Sequence, residues 1–249
     1  MCYNQVMNKE RFIEIANQFK EASETSGIGT LSEKTLHRVI KNYLEPNQEK
    51  HEVKIGRFYV DIINDNEIIE IQTRQFNKLR GKLDFLLETY QITICFPVAY
   101  KKNIIWLNKE SLEAEDIRKS PKTGSIYDVF HELYKIKQYL DNPNLRIKII
   151  LLDLDEYRLL NGWSKDKKRG SYRYDQIPTA LIDEVDIINL KDYKLFIPDG
   201  LNKEFTSKDY RKITKLTLKK AQVALNVLRH LGIIELIGKD SRLNLYSLK

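Results

Sequence analysis

Only two cysteines, Cys2 and Cys95, occur in 249 residues. Two thiols build neither a disulfide framework nor a four-thiolate zinc centre, and their scarcity points to a reducing compartment, expected to be the cytoplasm. Long apolar runs are missing as well. A run such as Ile147 to Leu152, with Lys148 inside it, falls far short of the roughly 20 residues a membrane helix needs, so no membrane partner is expected. The start, Met1-Cys2-Tyr3-Asn4-Gln5, has no basic stretch followed by an apolar one, so no secretory signal is expected. No Gly-rich phosphate loop is present, which argues against ATP or GTP chemistry. The histidines, His37, His51, His131 and His230, show no spacing for metal ligation or for a nucleophile–base pair and read as structural or surface residues.

What is present describes an ordinary packed protein. A hydrophobic share of 42% with 31% charged residues reads as globular, and the length allows one large domain or two smaller ones. The net charge of +7 is localised. From Lys203 to Lys249 there are eleven Lys or Arg against four Asp or Glu, while the residues before Lys203 carry equal numbers of each sign. A confined cationic excess is the footprint of a polyanion partner, nucleic acid being the commonest; a solubilising basic tail is the plainer reading.

The hydrophobic period changes along the chain. Residues 8–23 place Phe12, Ile15, Ala16 and Phe19 on one helical stripe, and a second helix is predicted from about Leu31 to Leu44, stopped by Pro46. The period then falls to two through Val53, Ile55, Phe58, Val60 and Ile62, with Asn64-Asp65-Asn66 turning into Ile68–Gln72, which predicts a three-stranded meander. Helical spacing returns over 77–90. A strand follows over Ile92–Ala99, and Lys101-Lys102-Asn103 reads as a turn into an antiparallel partner at Ile104–Leu107. A helix over 125–140 and a strand over 145–154 complete the order, and residues 161–176 read as a loop or inserted hairpin. Within it, Trp163 to Tyr174 mixes cations with aromatics, a composition that suits phosphate tracking and base stacking as well as a solvated surface loop. Pro198-Asp199-Gly200 is the candidate linker, dividing the chain into 1–199 and 200–249.

The segment 205–249 predicts a helix capped by Thr206 or Ser207, a turn, a longer helix from about Thr217 to Leu231, Gly232 as its stop, and a hairpin turning at 238–242. This order resembles the winged-helix families. The resemblance implies that Lys219, Lys220, Gln222, Val223, Asn226 and Arg229 line the open side of the second helix and that Lys239 and Arg242 tip the wing. Cations there would neutralise phosphates, and Gln222 and Asn226 would suit base edges of duplex DNA. Winged helices also dock proteins, so that alternative stays open.

The chemistry-bearing motif is Asp61, then Glu70-Ile71-Gln72. Glu70 and Gln72 share one face of a strand, and the turn at 64–66 folds Asp61's strand against it. Converging carboxylates suit a hard divalent cation. Here the chain resembles the PD-(D/E)XK nuclease superfamily, whose core is helix, three-stranded meander, helix, strand. The resemblance spans about residues 30–100 and implies a mixed α/β, restriction-endonuclease-like sheet flanked by helices. It also implies Mg²⁺ or Mn²⁺ bound through Asp61, Glu70 and Ile71. Glu33 on the first helix is the match for a further acidic site residue, although Thr30-Leu31-Ser32-Glu33 fits a capping box equally well. Gln72 stands where the superfamily usually has lysine, and Lys78 or Lys82, one turn apart on the next helix, could supply that charge. Two functions are therefore expected: a metal-dependent DNA endonuclease of restriction, repair or mobile-element processing, targeted by the winged helix, or a catalytically inactive nuclease-fold DNA-binding protein or transcriptional regulator. Either admits a homodimer.

Overall fold

The structure, a computed structural model, describes residues 7–26, 34–108, 111–159 and 172–249. It is mixed α/β. Helices α1 (Lys9–Ser26) and α2 (Thr35–Leu44) precede the strands β1 (His51–Ile55), β2 (Phe58–Asn64) and β3 (Glu67–Ile71). A 3₁₀ turn (Phe76–Leu79) leads into α3 (Arg80–Leu86), β4 (Gln91–Leu107) and β5 (Ala114–Lys119). After these come 3₁₀ turns flanking α4 (Phe130–Leu133), then β6 (Leu145–Leu159) and β7 (Tyr172–Ile187). A 3₁₀ segment (Leu190–Phe196) precedes β8 (Glu204–Thr206), α5 (Ser207–Thr214), α6 (Leu218–His230), β9 (Ile234–Asp240) and β10 (Leu243–Leu248). The large sheet has seven strands in the order β1-β2-β3-β4-β6-β7, with β5 paired to β4, and the small one is β8-β10-β9. No helix among the described residues is long and apolar enough to cross a membrane.

The chain divides into two compact units, each assembled from three segments: Met1–Ile63, Pro97–Ser125 and Ile150–Glu184 in the first, and Asn64–Phe96, Ile126–Ile149 and Val185–Lys249 in the second. The linker candidate at Pro198–Gly200 lies inside the second unit.

In the first unit, α1 packs on α2 through buried Phe12 and Ala16 against Leu36, Val39, Ile40 and Tyr43, and the Phe12 and Tyr43 rings meet edge to face at 5.1 Å. Helix α2 starts at Thr35, and Lys34 in the N-cap position offers no side-chain cap. Buried Asp175 of β7 caps it instead, accepting the Thr35 N–H at 3.2 Å and the Thr35 hydroxyl. A carboxylate at a helix start satisfies orphan amides and the helix dipole together. Residues 30–33, with the expected capping box and Glu33, lie outside the described residues.

The expected hairpin at Lys101–Asn103 is absent, because β4 runs straight through it as one 17-residue strand. The Lys101 N–H donates to Asp153 at 3.0 Å, Lys102 Nζ to Glu156 at 2.8 Å and Asn103 Nδ2 to Asp155 at 2.9 Å. These polar residues thus pair with acids of β6, and the antiparallel partner of 103–107 is β5.

In the second unit, β3 and β4 pair in parallel from Glu67↔Gln91 to Ile71↔Cys95. The connection places Phe76, Leu79, Leu83 and Leu86 in the core, and parallel pairing needs such a helical crossover. The helix expected over 125–140 is mostly 3₁₀, with a non-helical break at Ile136. The C-terminal elements follow the expected order. Thr206 caps α5 in a capping box with Asp209, Thr217 caps α6, and Gly232 takes φ +71° after it. Their core is shared with earlier segments, through ring contacts running Phe130–Phe196 (4.6 Å), Phe196–Tyr127 (5.9 Å), Tyr127–Tyr210 (6.1 Å), Tyr210–Phe205 (6.4 Å) and Phe205–Tyr246 (5.9 Å).

Candidate functional site

Asp61 is built into a small polar arrangement within the first unit. The antiparallel register His51↔Ile62 and Val53↔Val60 sets Glu52 opposite Asp61 across β1 and β2. Directly opposed like charges are unfavourable unless something answers them. Helix α2 supplies the answer with two residues one turn apart. His37 Nε2 lies 3.2 Å from Asp61 Oδ2, and Lys41 Nζ donates to Glu52 Oε1 at 2.6 Å. The Lys41 side chain is buried, whereas Glu52 is largely exposed. Glu52 also holds φ at +52°, a left-handed conformation unusual for a side chain other than Gly, Asn or Asp.

His37, Glu52 and Asp61 each offer one donor atom, and the three atoms lie within 4.8 Å of one another. Two carboxylates and an imidazole suit a divalent first-row ion such as Mn²⁺, which accepts nitrogen as well as oxygen, better than Mg²⁺, which favours oxygen alone. The sequence pattern singled out Asp61 but missed His37 and Glu52. Their signal was available in two parts: the four-residue spacing of His37 and Lys41, and the register that a Gly56-Arg57 turn imposes on β1 and β2.

Glu70 belongs to the second unit and has different company. It is buried on β3, and Lys82 Nζ of α3 lies 2.8 Å from both of its carboxylate oxygens. Of the two lysines considered for this charge, Lys82 reaches Glu70, while Lys78 is exposed in the preceding 3₁₀ turn. Ile71 is buried. The Gln72 backbone N–H donates to the Cys95 carbonyl at 2.9 Å, extending the parallel ladder, and its side chain is half-buried.

On the C-terminal surface Lys219, Lys220, Gln222, Asn226 and Arg229 of α6 are exposed, as are Lys239 of β9 and Arg242 in the hairpin turn; Val223 is half-buried. Two of these already have partners in the same unit. Lys220 forms an ion pair with Asp128, and Asn226 Oδ1 accepts from Lys137 Nζ at 3.3 Å. Most of the basic, aromatic stretch from Trp163 lies outside the described residues. Its far end is anchored, since Arg173 pairs with Glu156 at 3.4 Å. Glu156 is fully buried and also meets Lys102, Arg158 and Gln176. Burial pushes its carboxyl up, but the hydrogen bonds from Lys102 and Arg158 and the charges of Arg173 and Lys102 outweigh that and hold it below the ordinary range.

The fold is thus a mixed α/β sheet protein with a small antiparallel sheet and helices at its C-terminal end. Residues 34–188 match the family described as "Domain of unknown function (DUF8091)", and the chain belongs to that family. The match takes in His37, Lys41, Glu52, Asp61, Glu70, Lys82 and Glu156 and ends before α5. The chain is also similar to an uncharacterized protein of Treponema pallidum (strain Nichols), 30% identical over 148 residues, which are 59% of this chain and 56% of the relative. The chain therefore spans little more than half of that relative's length. No solved structure gives a significant match.

Proposed function

We propose that this protein is a metal-dependent nuclease that hydrolyses DNA phosphodiester bonds, brought to duplex DNA by its basic C-terminal elements. The observation that carries the reading is the three-donor group of His37, Glu52 and Asp61, placed on the helix and first two strands of a helix–meander–helix–strand order. That order is the one the PD-(D/E)XK resemblance implies, and within it the structure pairs β3 and β4 in parallel.

A divalent ion held there supplies a water of lowered pKa and offsets charge developing on the phosphodiester. In this reading Asp61 and Glu52 are oxygen ligands, His37 is the nitrogen ligand, and Lys41 holds Glu52 in its strained backbone position. Buried Lys41 also adds positive charge near the scissile group. Lys219, Lys220 and Arg229 on α6, with Lys239 and Arg242 on the hairpin, neutralise backbone phosphates, while Gln222 and Asn226 reach base edges. The second reading, a DNA-binding protein without catalysis, is favoured by one observation: Glu70 has both oxygens on Lys82 and stands two residues before a glutamine.

The test is incubation of the full chain with plasmid and linear duplex DNA under Mg²⁺, Mn²⁺ or chelator. We expect cleavage with Mn²⁺ and a fall of about a thousandfold on Asp61→Ala, the ~4 kcal/mol of a lost metal-centred interaction, with duplex affinity nearly unchanged. No cleavage by the native protein with either ion, alongside salt-sensitive DNA binding, leaves the second reading in place.

A further inference from the structure

The face that carries the three-donor group continues along the hairpin of β1 and β2. Side chains alternate between the two faces of a strand, so the pair that follows Glu52 and Asp61 on this face is Lys54 and Tyr59, which stand directly opposite each other. The step from one such pair to the next is roughly 7 Å. Tyr59 is 60% exposed, and exposed Lys54 has its Nζ 5.9 Å from the centre of the Tyr59 ring. Arg57, also exposed, follows in the turn. The hairpin thus runs from two carboxylates and an imidazole to a largely exposed aromatic ring with two cations beside it. Lysine and arginine take backbone phosphate directly, and an exposed ring offers a stacking surface to a base. A base paired inside a duplex is already stacked on its neighbours and reaches such a ring only by being extruded, whereas an unpaired base reaches it without that cost.

We propose that this hairpin face binds an unpaired DNA strand, with Tyr59 stacking on one base and Lys54 and Arg57 holding the phosphates beside it, so that the adjoining phosphodiester lies at His37, Glu52 and Asp61. The hydrolysis of that bond rests on the nuclease reading above, while the strand contact stands without it. The substrate is then a single-stranded segment of any sequence, because every base has a face on which a ring can stack. Duplex DNA meets the cations of the hairpin but gives Tyr59 no base.

Two measurements on the full chain test this. In chelator, a short single-stranded oligonucleotide containing 2-aminopurine is titrated with protein, and binding is read by the anisotropy of an end label and stacking by quenching of the purine. The native protein binds and quenches. Tyr59→Ala weakens binding about tenfold, the effect of one lost stacking contact, and abolishes the quenching, while Tyr59→Phe keeps both; Tm and affinity for blunt duplex stay native in each. Lys54→Gln weakens single-strand binding and lowers its salt dependence by the share of about one phosphate. With Mn²⁺, the native protein cuts the single strand at least tenfold faster than blunt duplex, and Tyr59→Ala removes that preference. A Tyr59→Ala protein that binds and quenches as the native does overturns the proposal, as does equal cleavage of the two DNAs. Quenching that depends on Tyr59, with no cleavage of any DNA, supports the strand contact and overturns the nuclease reading alone.

Discussion

Asp61 and Glu70 are carboxylates of similar chemistry on strands that are neighbours in the sheet order, yet each is surrounded in its own way. Asp61 keeps 16% of its side chain exposed and faces an imidazole, with a second carboxylate opposite it across the strands. Glu70 keeps 2% exposed and gives both oxygens to one ammonium. A cation entering the first arrangement meets two carboxylates and a nitrogen donor. One entering the second must first displace a lysine from a buried ion pair, and the displaced charges then stand in a poorly solvating place. Glu70 is thus buried with one fixed counter-ion, whereas Asp61 is partly exposed beside an imidazole and a second carboxylate.

The strongest way to break this contrast is to remove the lysine. Lys82→Met leaves a carboxylate at 2% exposure without its ammonium, and we expect a loss of about 3 kcal/mol in urea unfolding. Glu70→Gln should cost less, because the Lys82 side chain, 16% exposed, can turn its ammonium toward water. Equal losses in the two variants would show that Lys82 is not what holds Glu70 in the core.

The elements that sequence made legible are those whose signals are local. Thr206, Thr217 and Gly232 punctuate the C-terminal helices within a few residues of where they act, and the alternation from Val53 to Ile71 marks the meander. The misread elements depend on distant partners. Lys101 to Asn103 resembles a turn until Asp153, Asp155 and Glu156 stand beside it, 52 to 54 residues away in sequence. The start of α2 is set by Asp175, 140 residues from Thr35. The site divides in the same way. Asp61 stood out from its neighbours on a strand, but His37 joins it only because α2 lies across β1 and β2, and Glu52 only through cross-strand register. No single window of sequence contains that group.

A smaller change sharpens the contrast by making Asp61's surroundings more oxygen-rich. His37→Gln replaces the imidazole nitrogen with an amide while keeping a polar side chain of similar reach. If His37 is a ligand, Mn²⁺ affinity measured by calorimetry should fall about tenfold, ~1.4 kcal/mol, with Mg²⁺ affinity changing much less, since ligand softness separates the two ions. A parallel loss for both ions would instead mean that His37 only positions Asp61.

The smallest expected effect extends the contrast to a third carboxylate. Glu156 resembles Glu70 in being buried among cations, and it has more of them: Lys102, Arg158 and Arg173. Burial opposes these cations, so what remains is a net lowering of its carboxyl and not a large displacement. A folded-state pKa below the unfolded value means that the charged form contributes stability above the unfolded carboxylate pKa, about 4.3. That contribution is lost as pH falls through the folded value, because the folded protein then takes up the proton that the unfolded chain already holds. Glu156→Gln should therefore be less stable than the native protein at neutral pH, where three cations lose their shared counter-ion, and the difference should narrow steadily below about pH 4. Unfolding measured by Tm across that range checks the direction. If the gap stays constant down to strongly acidic pH, the Glu156 charge contributes nothing to stability, and its hydrogen bonds alone hold the ends of β4, β6 and β7 in place.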